Sequence, residues 1–371
     1  MSYKRPDYIL LFVSVALVIL GILILASVSA VFSQEKFGNP TYFLFHQMLY
    51  GLIPGIVLGY FAFKIPLTYI KKIIFPLFLI NLIILGLVFL PRFGVSSGGA
   101  ARWVGLGPFS FQPAEFLKLT FLLYLAAWIA SRGGDFFYQQ RRQKKFNVLL
   151  IVFLIILGVI ALFLSLQPNV GTLSLIFAVA VLVYFSAGTP LWQTAFVIFM
   201  GIAGIFSLIQ IAPYRFSRLL VFLNPEIDPL GKGYQIKQAL IAVGSGGIFG
   251  LGLGMSRQKF GFLPQSVGDS IFAIFAEEGG FLGATLLIFL FLIFVWRGLQ
   301  ITKRAREKFS QFVALGISLW IGIQAFVNIA ALTGILPLTG IPLPFISYGG
   351  SHIIAELIGV GILLNISKSA T

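Results

Sequence analysis

The feature that most constrains this chain is the repetition, along its whole length, of apolar runs about 20 residues long, the length an α-helix needs to cross roughly 30 Å of hydrocarbon. Between polar breaks they fall near residues 8–32, 43–63, 70–90, 112–131, 147–166, 170–187, 191–211, 270–296, 311–333 and 350–366. This predicts an all-α polytopic membrane protein of about ten transmembrane helices, one domain spanning residues 1–371. Only 10% of the residues are charged, against about a quarter in a soluble domain, so the chain cannot solvate its own surface. A β-barrel would show short alternating segments instead. The first run follows Lys4 and Arg5 as a signal sequence would, yet it is too long for one and reads as a retained helix.

Charge and residue usage narrow the function. The chain has no cysteine, which removes disulfides and thiolate metal sites, and two histidines (His46 and His352) are too few for a histidine-rich metal centre. A net charge of +15 does not point to nucleic acid here. Cytoplasmic loops of membrane proteins retain Lys and Arg, which anionic membrane lipids attract. Lys64, Lys71, Lys72, Arg132, Arg141, Arg142, Lys144, Lys145, Lys303 and Arg304 all fall on the side of the N-terminus, and the short loops of the other side are nearly bare. Both termini are therefore expected in the cytoplasm. The long loop between spans seven and eight, about 212–269, is expected outside, where no ATP is available.

That loop carries six cations (Arg215, Arg218, Lys232, Lys237, Arg257, Lys259) and three carboxylates (Glu226, Asp228, Asp269), with glycines crowded in its middle. Backbone N–H groups of such glycines can cradle phosphate, or the glycines can serve turns and close packing. No Walker or dinucleotide motif is present. Asp269 stands directly before an apolar run, where it either caps the helix or takes a proton from a hydroxyl. Glu115 and Lys118, three apart on span four, share a helix face as a structural ion pair or as the lining of a wet cavity. Trp103 beside Arg102 fits a membrane-interface pair, or an aromatic floor for a sugar next to a cation for phosphate. Of the adjacent Glu277 and Glu278, at most one is expected to reach a cavity, and Glu356 is a lone carboxylate at depth, paired or functional. The run NIAALTGILPLTGIPLPFISYGGS implies irregular backbone at membrane depth, tolerated only where protein buries it or a cavity borders it.

Four stretches in order carry a resemblance: GGAARWVGLGPFSFQPAEFLKL, NPEIDPLGKGYQIKQALIAVGSGGIFGLGLG, SRQKFGFLPQSVGDSIFAIFAEEGGFLG and the proline-rich run above. The chain resembles the SEDS family of bacterial FtsW and RodA proteins over nearly its whole length, and Gly254 to Lys259 look closer to FtsW. The resemblance implies a peptidoglycan glycosyltransferase in the bacterial plasma (inner) membrane, polymerising lipid II at the outer face in septal or elongation cell-wall synthesis. It implies a divalent cation (magnesium or manganese), a class B penicillin-binding protein as partner, and other divisome or elongasome membrane proteins. The essential Asp of the family falls on Asp269, its loop Trp on Trp103, and its span-four pair on Glu115 and Lys118. Many members have Leu-Pro-Glu-x-His-Thr-Asp-Phe where this chain has Leu263-Pro264-Gln265-Ser266-Val267-Gly268-Asp269-Ser270, so neither the His nor the Thr is required here.

The expected chemistry is one inverting displacement, with Asp269 as base or as metal ligand. Arg102, Lys118, Arg257 and Lys259 are expected on the diphosphate, with Gln112 and Ser347 from the same motifs as further substrate contacts. The rival reading is a lipid-linked precursor flippase or transporter, which would hold its ligand groups near the bilayer midplane, reachable from both sides.

Overall fold

The computed structural model describes residues 5–97, 100–106, 109–133, 142–211 and 213–370. The expected cations Lys4 and Arg141 lie outside the described residues, as do the side chains of Arg132, Arg142, Lys144, Lys145 and Arg215. The long helices are α1 (Tyr8–Phe37), α2 (Tyr42–Lys64, with a π turn at Met48–Leu52), α3 (Leu67–Leu87), α4 (Pro113–Gly133), α5 (Arg142–Leu166), α6 (Val170–Ser186) and α7 (Leu191–Ile211). The connection after α7 holds two shorter helices, α8 (Pro213–Leu223) and α9 (Lys232–Ser245), before α10 (Ile271–Arg304), α11 (Lys308–Leu332) and α12 (Gly350–Ala370). Among the described residues nine helices are long and apolar enough to cross a membrane, and α6 is a shorter apolar one. Each expected span coincides with one of these ten helices.

Prolines divide the long loop as their chemistry requires. Pro213 opens α8, and Pro225 and Pro229 separate it from α9. Asp228 accepts bonds from the N–H groups of Gly231 and Lys232, closing the start of α9. The loop before α4 forms a small antiparallel sheet of β1 (Gly94–Ser97), β2 (Ala100–Leu106) and β3 (Phe109–Phe111), which the helical pattern does not announce. Cross-strand pairing of Val95 with Trp103 and of Val104 with Phe111 supplies the β-branched and aromatic neighbours that favour it.

Close helix contact rests on small residues, since lipid tails compete with every apolar side chain. Gly51, Gly55 and Gly59 line one face of α2 against α12; a Cβ at Gly361 would stand 2.1 Å from the Gly59 carbonyl oxygen. The stretch between α11 and α12 turns back into the bundle, and a Cβ at Gly21, midway along α1, would meet the Phe345 carbonyl oxygen at 2.2 Å. This is the irregular backbone that the prolines announce, enclosed by protein: Leu343, Phe345 and Ile346 are all buried.

The helix α10 breaks at Gly280 (φ 64°). Everything from Ile271 to Glu278 is buried, whereas Phe281, Leu282, Leu286, Phe289 and Leu292 below are exposed on the membrane-facing surface. A break leaves main-chain groups without helical partners. The glycine-rich loop supplies them: Leu251 and Gly252 donate to the carbonyls of Glu277 and Glu278, and Phe281 and Leu282 donate to Gly247 and Ile248. Gly250 and Gly280 approach too closely for any side chain, so these glycines serve packing rather than a phosphate cradle.

Candidate functional site

Asp269 lies between the glycine-rich loop and α10, and three elements hold the turn that carries it. Asn328 of α11 donates its side-chain amide to the Asp269 carbonyl at 2.8 Å and to that of Ile341 at 2.8 Å. Ser347 donates to the Gly268 carbonyl, and the Tyr348 N–H to that of Val267, tying the re-entrant stretch to the same turn. On the other side Gln235 of α9 bonds the Ser270 hydroxyl. The helix N-cap is Ser270, without a side-chain cap bond, so Asp269 does not spend its carboxylate on capping.

The turn is thus fixed, and one carboxylate oxygen is left uncommitted. Its Oδ1 is enclosed and has no hydrogen-bond partner, although the residue as a whole keeps partial exposure. Gly340 (φ 73°) lies beside Oδ2, where a Cβ would stand at 3.6 Å. Burial pushes the Asp269 carboxyl above its usual range, against the lowering pull of Lys232 and, more weakly, of Arg218. Burial and Arg218 in turn lower the Lys232 ammonium, opposed by Asp269 and Asp228. A carboxyl raised in this way is better suited to accept a proton near neutral pH than an exposed one.

Deeper in the bundle a second polar group gathers on α11. Glu115 and Lys118 pair at 2.7 Å, both almost wholly buried. Lys118 also donates to Gln324 at 2.9 Å and lies over the Trp320 ring, whose indole N–H bonds the same Gln324 oxygen. Gln324 donates onward to the Pro342 carbonyl and to Glu356, and Glu356 accepts the Phe345 N–H at 2.8 Å. His352 is buried within electrostatic reach of Glu115 and Lys118. Trp320, Gln324 and Asn328 are four apart, so one face of α11 connects this cluster to the Asp269 turn. Buried ions are tolerated in this way, paired and hydrogen-bonded.

Other expected site residues have different duties. Arg102 bonds the carbonyls of Gln167 and Pro168, fastening the sheet to the α5–α6 connection. Trp103 is half-buried on β2, and the Gln112 N–H bonds Ser351 of α12 at the start of α4. Lys259, expected on a diphosphate, is instead buried against Glu278 (3.1 Å) and the Gly254 carbonyl. Glu277 and Glu278 are both buried and hydrogen-bonded: Glu277 accepts from Ser256 and the Arg257 and Gln258 N–H groups, and Glu278 from Ser27 and Lys259. Arg257 stays exposed. The cations acting on Asp269 are Lys232 and Arg218, which the sequence counts among the loop charges without singling them out. Gln324 and Asn328, two amides one turn apart in an apolar span, are the signal that reading missed.

A polytopic bundle with an enclosed ion pair, a re-entrant stretch and a poised carboxylate at one end is a membrane protein built around a polar site. The chain belongs to the FtsW/RodA/SpoVE family, described as cell cycle proteins, whose profile matches residues 8–371. It is 38% identical over 364 residues to stage V sporulation protein E of Bacillus subtilis (strain 168), covering 98% of this chain and 97% of that one. It is 38% identical over 361 residues to a probable peptidoglycan glycosyltransferase FtsW of Geobacter sp. (strain M18), covering 97% and 96%. Among solved structures, Thermus thermophilus rod shape determining protein RodA superimposes with a TM-score of 0.70 at 26% identity, covering 99% and 98%. A chain of a peptidoglycan synthase complex that coordinates polymerization and crosslinking superimposes at 0.76 and 26% identity, covering 98% of both.

Proposed function

We propose that this chain is a peptidoglycan glycosyltransferase that joins lipid II units into glycan strands at the outer face of the bacterial plasma membrane. The single observation that carries the reading is the Asp269 carboxylate, in a turn held by hydrogen bonds from three sides, with Oδ1 unpartnered and Lys232 and Arg218 acting on it. Asp269 takes the proton of the acceptor sugar hydroxyl as its oxygen bonds the anomeric carbon of the donor. The bond from that carbon to the diphosphate breaks, and undecaprenyl diphosphate leaves with the electron pair. Lys232, Arg218 and the exposed Arg257 face that negative charge. The half-buried Trp103 offers a ring face to a sugar, and Gln112 and Ser347 order the neighbouring turns.

A magnesium or manganese ion fits this site only in part. Among the described residues no three His, Cys, Asp or Glu side chains cluster for a metal, and the unpartnered Asp269 Oδ1 would be a ligand. Magnesium bound by one carboxylate, substrate phosphates and water matches that donor set, and when bound it supplies positive charge to the diphosphate. The similarity to a chain of a peptidoglycan synthase complex supports a penicillin-binding protein, of class B in this reading, as partner.

Purified chain, with its partner and fluorescent lipid II, is expected to form moenomycin-insensitive polymer on a gel. Asp269→Asn is expected to cut the rate by about 100-fold or more while the protein stays folded. Polymer formed by Asp269→Asn at the normal rate would remove the base, and translocated lipid II without polymer would favour the transporter reading.

A further inference from the structure

At the end of the bundle opposite Asp269, the first turns of α3 and α11 and the last turn of α4 enclose an open cavity of about 650 Å³. Thr68, Lys71, Lys72, Glu307 and Lys308 line it, over a floor of Ala130 and Phe309. Three ammonium groups thus face one carboxylate, and the Lys71 ammonium stands 5.9 Å from the centre of the Phe309 ring. All three lysines are exposed. The polar rim passes directly into a hydrocarbon-facing strip of α3, where Tyr69, Phe75, Ile80 and Ile83 are each at least half exposed. The glycosyltransferase reaction uses none of these residues.

We infer that this cavity is a binding site for the phosphodiester headgroup of an anionic phospholipid in the adjacent leaflet. The charge excess selects an anion. A basic recess between spanning helices at the height of the headgroups is the form such sites take. A phosphodiester seated among the lysines leaves its acyl chains continuous with the exposed strip of α3, which a free phosphate has no means to use. Thr68 adds a hydroxyl donor, and among the described lining residues Glu307 is the carboxylate that opposes the anion.

The test uses the purified full chain in nanodiscs of phosphatidylcholine with a minor fraction of phosphatidylglycerol, and native mass spectrometry counts the lipids retained. The wild-type chain is expected to retain phosphatidylglycerol in preference to phosphatidylcholine. Lys71→Gln, Lys72→Gln and Lys308→Gln should each weaken that preference, by about fivefold per lysine. A control triple variant at the same end but off the cavity (Lys64→Gln, Lys303→Gln, Arg304→Gln) should keep it, and Glu307→Gln should strengthen it. Equal loss in the control and cavity variants would reduce the effect to diffuse surface charge and overturn the site. Displacement of the retained lipid by millimolar inorganic phosphate, matched by the same thermal stabilisation, would assign the cavity to a soluble anion and overturn it as well.

Discussion

One amide of Asn328 holds two carbonyls, those of Asp269 and Ile341, at 2.8 Å each. The turn that presents the carboxylate and the stretch that re-enters the bundle are therefore set by one side chain of α11. Asn328→Leu leaves both carbonyls in an interior without a donor, at a cost of about 1–3 kcal/mol each. The variant should melt several degrees lower and polymerise more slowly. Asn328→Gln should restore part of the rate if the amide positions Asp269, whereas a purely structural amide would recover melting temperature alone.

The Asp269 carboxyl is raised by burial and held down by Lys232. The acid limb of the polymerisation rate should therefore lie above the ordinary aspartate range. Lys232→Gln removes the lowering influence and should move that limb to still higher pH. Rate against pH for the two proteins measures the displacement, and superimposable limbs would separate Lys232 from the site.

The same shift has a thermodynamic sign. A carboxyl raised on folding binds its proton more tightly in the native state, so stability is present below the unfolded value of about 3.9 and is lost as pH climbs through the folded value. At neutral pH the wild-type chain bears that loss, and Asp269→Asn does not. Thermal melts should show the inactive Asn variant equal to or above wild type at pH 7.5, with the gap closing in acid.

Lys259 and Glu278 form a buried pair, so removing one partner strands the other. Lys259→Met should cost about 3–5 kcal/mol, and Lys259→Met with Glu278→Gln should recover a good part of it. If Lys259 instead served the diphosphate, the double variant would be stable yet inactive. Melting temperature and polymer yield on the same four proteins of the cycle decide it.

Hydropathy made the ten helices legible, because hydrocarbon thickness fixes their length and nothing else in the chain competes with that signal. Irregular backbone between α11 and α12 was readable from its prolines, and the position of Asp269 from the motif around it. The small sheet was not readable: its strands are short and glycine-bordered, and their pairing depends on contacts across a turn. Nor was the assignment of cations. Lys232, Lys259 and Arg257 look alike in the sequence, and only folding shows that Glu278 draws Lys259 inward, that Lys232 acts on Asp269, and that Arg257 stays outside. The role of Gln324 was hidden because an amide in an apolar span gives no hint of how many partners it joins.

The interruption of α10 at Gly280 has a mechanical consequence. Main-chain bonds tie Glu277 and Glu278 above it and Phe281 and Leu282 below it to the same glycine-rich loop, and the shaft beyond faces lipid. The loop thereby clamps the break from both sides and fixes the angle between the exposed shaft and the buried turns that follow Asp269.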